Sequence, residues 1–242
     1  GIGVTLNYTG IDSIAVQLGS EITAIRRINC IMPMIKQPID HSTIRTGLRV
    51  VNLNQSIIHV YIDGFYNGLK VEGFNMGNAY NKFFINTLFN NKHSVNITSN
   101  NLGFSNENMY FGGRFGYTNC IHVFFEYNGY SNNSNKFYGC SFEDGNAKAH
   151  AIYIEYGRNN SFRDCRYEGA DLIYLGSGAD NTVLEDGFGL TSNNVTNNSN
   201  STFIKTAYEI NSSKSKAHVF TNVGSVANNA LEVKNPITGN TV

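Results

Sequence analysis

A short phrase recurs six times along this chain of 242 residues, and a repeat constrains the fold more tightly than any single residue. It sets one apolar residue five positions before another, usually with an Asn two positions ahead of the first. It is read at Asn81-Lys82-Phe83 to Leu88, Asn108-Met109-Tyr110 to Phe115, and Asn135-Lys136-Phe137 through Cys140 to Phe142. It returns at Asn160-Ser161-Phe162 through Cys165 to Tyr167, at Asn181-Thr182-Val183 through Asp186 to Phe188, and weakly from His218 to Val223. The first five phrases start at Asn81, Asn108, Asn135, Asn160 and Asn181, an even step that shortens towards the end. A period of about 20–50 residues marks a solenoid, in which each unit buries its apolar face only against its neighbours.

A second phrase keeps the same beat. Apolar, polar, apolar triplets fall at Leu69-Lys70-Val71, Val95-Asn96-Ile97, Val123-Phe124-Phe125, Ile152-Tyr153-Ile154 and Ile173-Tyr174-Leu175. Looser versions follow at Ile204-Lys205-Thr206 and Leu231-Glu232-Val233. Alternation with period two is the mark of a half-buried strand, and no stretch carries the helical period of about 3.6. Each coil therefore holds at least two short strands. The expected fold is all-β, a single-stranded right-handed parallel β-helix with coils of about 21–29 residues.

Composition fits that reading. Asn occurs 36 times, Pro 3 times and Trp not at all. Asn tolerates the left-handed backbone of tight corners, bonds locally to the main chain, and can stack in ladders along a solenoid axis. Asn-Xaa-Ser/Thr sites such as Asn7-Tyr8-Thr9 and Asn194-Val195-Thr196 follow from so much Asn and are not read as glycosylation. Net charge is zero and 15% of residues are charged, so no basic surface for nucleic acid is expected. No apolar run approaches the length of a helical membrane span.

One continuous domain is expected. Residues 1–55 read as two irregular N-terminal coils and 56–242 as the regular helix, with a polar loop near 192–202. The start at Gly1-Ile2-Gly3 reads as the edge of a fragment, with caps or partner chains beyond it. Cys140 and Cys165 hold the same place in the phrase and should stack about 5 Å apart, as buried thiols in preference to a disulfide. The spacing of Cys and of the six His predicts neither a metal site nor a cofactor.

Chemistry on such a fold comes from outward positions of adjacent coils. Two carboxylate columns emerge from the register: Glu126 with Glu155, and Glu143 with Glu168. Each pair is expected about 5 Å apart, near the separation in a retaining glycosidase, where one carboxyl is acid and the other nucleophile. Beside the first pair lie Tyr127, Tyr153, Tyr156 and Tyr174, whose rings could stack on sugar faces while their hydroxyls hydrogen-bond. Beside the second lie Asp164, Glu185, Arg114, Arg163 and Arg166. The plainer reading is that outward Glu and Arg form surface pairs worth under about 1 kcal/mol, and that outward Tyr packs well across strands. His122 and His150 open strands of the triplet set one position out of register, a weaker candidate for proton abstraction. No GxSxG elbow, P-loop or dinucleotide fingerprint is present.

The coil length, the Asn-bearing corners, and the phrases Asn135-Lys136-Phe137-Tyr138-Gly139-Cys140-Ser141-Phe142 and Asn160-Ser161-Phe162-Arg163-Asp164-Cys165-Arg166-Tyr167 resemble the pectate-lyase-like right-handed β-helices. Within that superfamily they are most similar to the central domains of bacteriophage tailspikes and pre-neck appendages. The resemblance spans about residues 56–235, and no catalytic motif carries over residue by residue. It implies a homotrimeric virion appendage that binds a bacterial surface polysaccharide (capsule, exopolysaccharide or teichoic acid) and cleaves it by carboxylate-assisted hydrolysis or by β-elimination. A binding-only spike and a secreted polysaccharide lyase are the alternatives.

Overall fold

In the computed structural model the described residues are 5–206, except 11–12, 101, 117–119, 130–131, 144–149, 170–171 and 192–193, together with 220–221. Among them, strands of two to eight residues form sheets of fourteen, eight and four strands. Every strand ladder is parallel except that of Phe220–Thr221, which runs antiparallel to Thr202–Thr206. Each coil adds a strand to the eight-stranded sheet, so the chain winds as a parallel β-solenoid of about seven turns.

The recurring phrase is the inward face of the fourteen-stranded sheet. Ile58, Phe83, Tyr110, Phe137, Phe162, Leu184 and Ile204 stand in one registered column. Their rings stack along the axis, with centroids 5.0 Å apart for Phe83 and Tyr110, 4.2 Å for Tyr110 and Phe137, and 4.7 Å for Phe137 and Phe162. Full burial of each ring contributes roughly 1.5–3 kcal/mol. A second inward column holds Ile62, Leu88, Phe115, Phe142 and Tyr167. The triplets supply the opposite wall: Leu48, Leu69, Val95, Val123, Ile152 and Ile173 are registered and buried.

Asn at the head of the phrase holds the corner. The preceding residue is left-handed in successive coils, at Gln55, Tyr80, Glu107, Ser134, Asn159 and Asn181, with φ between 55° and 60°. For non-glycine residues that conformation costs on the order of 1–3 kcal/mol. The next position is Ser56, Asn81, Asn108, Asn135, Asn160 or Thr182, all buried. Each Asn side chain accepts the amide N–H of the coil before: Ser56 to Asn81 at 3.1 Å, Asn81 to Asn108 at 3.1 Å, Asn108 to Asn135 at 3.2 Å, and Asn135 to Asn160 at 2.9 Å. The ladder thus satisfies the backbone groups that the sharp corner withdraws from the sheets.

Parallel pairing already runs through the N-terminal coils, where Ile14–Gly19 pairs with Thr46–Val51 and that strand with Asn67–Phe74. Unequal coils hide the beat there: Val16 pairs with Leu48 and Leu48 with Leu69, the first step half as long again as the second. Leu184, not Val183, fills the inward column, and Phe188 points outward over the Arg166 guanidinium, 5.6 Å from it. The stretch near 192–202 contains the strand Val195–Asn197, paired with Ile173–Leu175, so it is part of a coil. Ile204–Thr206 accordingly belongs to the fourteen-stranded sheet, while the triplet 231–233 lies outside the described residues.

Cys140 and Cys165 are free, buried and in equivalent places, each thiol directed to the carbonyl two residues before it, Tyr138 at 3.8 Å and Arg163 at 3.4 Å.

Candidate functional site

The outward face of the eight-stranded sheet gathers the first carboxylate column and its tyrosines. Phe124, Tyr153 and Tyr174 occupy one registered column. Tyr153 and Tyr174 stack at 4.5 Å, and Phe124 meets Tyr153 edge-on at 5.8 Å. Glu126 and Glu155 follow immediately after the last registered pair, Phe125 and Ile154, so their backbones stand about one strand spacing apart, ~4.8 Å. Tyr127 and Tyr156 come next and stack at 4.4 Å.

The next coil is shaped around these side chains. Its ladder slips between Ile154 and Tyr156, which pair with Leu175 and Gly178, leaving a bulge opposite Glu155. Bulges re-aim side chains and often border functional sites. Gly176 lies within the bulge, where an added Cβ would come 2.6 Å from the Glu155 carbonyl oxygen. At Gly178 an added Cβ would strike the Tyr156 ring. Tyr156 is therefore sandwiched between Tyr127 and Gly178. This revises the expectation of sugar stacking: most of these rings spend their faces on each other and present edges and hydroxyls. Tyr127, 46% exposed, is the open member.

Neither carboxylate has a cationic partner among the described residues. Asn96 Nδ2 donates to Glu126 Oε2 at 3.1 Å and to Asn67 Oδ1 at 3.2 Å. Tyr153 donates its hydroxyl to Glu155 Oε2 at 3.4 Å. Burial pushes the Tyr153 phenol above its ordinary pKa, and the Glu155 carboxylate and Tyr174 add to the rise. Asn96 is 3% exposed, and its Oδ1 meets no hydrogen-bond partner. His93 touches Asn67 at 3.1 Å and packs its ring 4.7 Å from Phe124. Burial, with help from Lys92 and His41, lowers its pKa to about 4, so it is neutral at pH 7.

The second carboxylate set is arranged differently. Arg114, Ser141 and Arg166 form one outward column of the fourteen-stranded sheet. The parallel ladder stops at Phe142 and Tyr167, and Glu143 instead bridges Gly169. Glu143 is taken by Arg114 at 2.6 Å and Glu168 by Arg166. Glu185 is shared by Arg163 at 3.3 Å and Lys205 at 3.5 Å. Asp164 occupies a left-handed corner, φ 54°, where the preceding coils place Gly139 and Gly112. Its carboxyl type suits that corner. This set is a surface of paired charges.

A third feature escapes sequence reasoning. Directly after the inward residues Ile58, Phe83, Tyr110 and Phe137 stand outward rings, and His59, Phe84, Phe111 and Tyr138 stack at 5.0, 5.2 and 5.5 Å. With Ile31, Met32, Pro33 and Met34, the first three of these rings, His59, Phe84 and Phe111, line a groove of about 1070 Å³. The signal runs at the same beat as the phrase and is masked by the buried aromatic beside each outward one. The out-of-register histidines also separate: His150 is half-buried, while His122 lies inside against Cys120, Ser94, Phe115 and Phe142. Among the described residues no three acidic, His or Cys side chains converge as a metal site.

The fold and this face together define a parallel β-solenoid displaying two carboxylates among tyrosines. Comparison with protein-family models, curated proteins and solved structures gave no match.

Proposed function

We propose that the chain is a bacteriophage tailspike or pre-neck appendage domain, homotrimeric on the virion, that binds and depolymerises a bacterial surface polysaccharide such as capsule, exopolysaccharide or teichoic acid. The observation carrying this reading is the Glu126–Glu155 pair. It stands on adjacent coils, without a cation among the described residues, beside stacked tyrosines on an outward sheet face. Two carboxylates whose backbones stand about one strand spacing apart suit a double-displacement hydrolysis, in which one protonates the glycosidic oxygen and the other attacks the anomeric carbon. The apolar outward column from Ile31 through Phe84 to Phe111, at the N-terminal end of the fourteen-stranded sheet, supports the trimer as a face to be covered by neighbouring copies.

The test is release of reducing ends from purified host polysaccharides. The double variant Glu126→Gln/Glu155→Gln should lose activity by at least about a hundredfold while keeping its thermal transition. Glu143→Gln/Glu168→Gln should retain activity. Full activity in the first double variant sinks the assignment. Binding without any product would make the chain an adhesin, with the solenoid as a rigid shaft.

A further inference from the structure

Among the described residues, the polar capacity left unpaired at the centre of the tyrosine face, beyond the tyrosine hydroxyls, is that of acceptors. Glu126 and Glu155 are carboxylates on neighbouring coils, and the one bond each makes within the face comes from a neutral donor, Asn96 or Tyr153. Asn96 Oδ1 is a further acceptor, buried and unmatched, beside Glu126. Turning the amide over would not satisfy it, because its Nδ2 already donates to two acceptors, Glu126 and Asn67.

Two nearby cations among the described residues are paired elsewhere. Lys70, one coil before Asn96 in the same column, lies 3.7 Å from Glu72, and Arg158, two residues past Tyr156, lies 3.6 Å from Asp180. Two carboxylates without cations repel an anionic ligand and attract hydroxyl or ammonium donors.

Resting on the polysaccharide reading above and narrowing it, we infer that the Glu126–Glu155 face recognises a glycan through hydroxyl or ammonium donors, a neutral or amino-bearing polymer, and rejects uronate- and phosphate-rich chains, teichoic acid among them. In this arrangement Asn96 is a positioning residue that fixes Glu126, and Tyr127 offers the open ring.

The test is binding to an immobilised set of bacterial surface polysaccharides sorted by composition into neutral, amino-bearing and anionic. It compares the wild type, Glu126→Gln/Glu155→Gln and the exposed variant Tyr127→Ala, each with its thermal transition recorded. The expected result is binding confined to the first two classes and weakened about tenfold or more in the double variant, since a charge-assisted hydrogen bond is worth roughly 1.5–3 kcal/mol. Raising NaCl about tenfold, from roughly 50 to 500 mM, should leave a neutral ligand's affinity within about twofold and weaken an amino-bearing one several-fold, which separates the two sources. Binding to anionic polymers that grows stronger in the double variant would overturn the ligand class while keeping the site. Binding of any class that neither variant changes would overturn the site itself. Failure to bind any class overturns both.

Discussion

The Tyr153 hydroxyl donates to Glu155 Oε2 across 3.4 Å, between residues two apart on one strand and so on one face. The bond keeps the phenol protonated and holds the carboxylate beside Tyr174. In Glu155→Gln the negative charge is gone, so the Tyr153 ionisation should move down towards the ordinary phenol value of 10.0. Titration of ring-labelled tyrosine by NMR checks this, with Tyr153→Phe assigning the signal. An unmoved signal would mean that burial alone raises the phenol.

Tyr110 stacks between Phe83 and Phe137 in the interior, and its buried hydroxyl has no partner. Removing an unmatched buried hydroxyl at constant shape is stabilising, so Tyr110→Phe should gain about 1 kcal/mol. Phe137→Ala, one coil on, should cost about 3–5 kcal/mol through the cavity it leaves. Urea unfolding at unchanged slope measures both.

The Asn ladder should show itself in the same assay. Asn108 accepts the Asn81 N–H and donates from Nδ2 to the Asn78 carbonyl at 3.1 Å. Asn108→Ala strands both buried groups and should cost about 1–3 kcal/mol at each. A loss below half a kilocalorie would show that the corner closes without the side chain.

Acid should weaken the fold through His122. Burial lowers its pKa from 6.5 to about 3 in the folded chain, while the Glu143 backbone works weakly in the other direction. The unfolded chain therefore takes up the proton first as pH falls. The stability contribution is full above about pH 6.5, is lost progressively between pH 6.5 and 3, and levels off below, at on the order of 1 kcal/mol per pH unit. The variant His122→Leu should flatten the stability profile in that window. His93, lowered to about 4, adds a similar slope over the shorter window from pH 6.5 to 4, which this variant leaves in place.

Thiol chemistry gives a further check. Cys120, Cys140 and Cys165 are buried, and burial drives the Cys140 thiol upward in pKa, whereas Cys30 is only half-buried. Ellman's reagent should titrate Cys30 in the native chain and the other three only on unfolding. Native reactivity of Cys165 would contradict the closed interior column.

The inward half of the fold is legible in the chain because its signals are one-dimensional. Phe83, Tyr110 and Phe137 recur at one constant spacing, and alternation in Ile152-Tyr153-Ile154 says which side is inside. Legibility fails where coils change length. The steps from Phe162 to Leu184 and from Leu184 to Ile204 are shorter than those before them. The phrase therefore drifts by one position at Val183, and the turn of chain at Val195 reads as a loop. A slip of one position exchanges inside for outside, which is why the phrase alone puts Phe188 in the core.

By itself the sequence determined that this protein is a stack of parallel coils with Asn-bearing corners and aromatic interior columns, because burial repeats along the chain with the coil. Only the tertiary structure separated the two carboxylate sets. Glu143, Glu168 and Glu185 met arginines brought by their own strand or the coil before, while Glu126 and Glu155 met only neutral donors among the described residues. Several of those partners, Arg114, Arg163 and Asn96, come from the neighbouring coil, and it is the partner in space that makes an outward carboxylate half of a surface ion pair or a group free for chemistry.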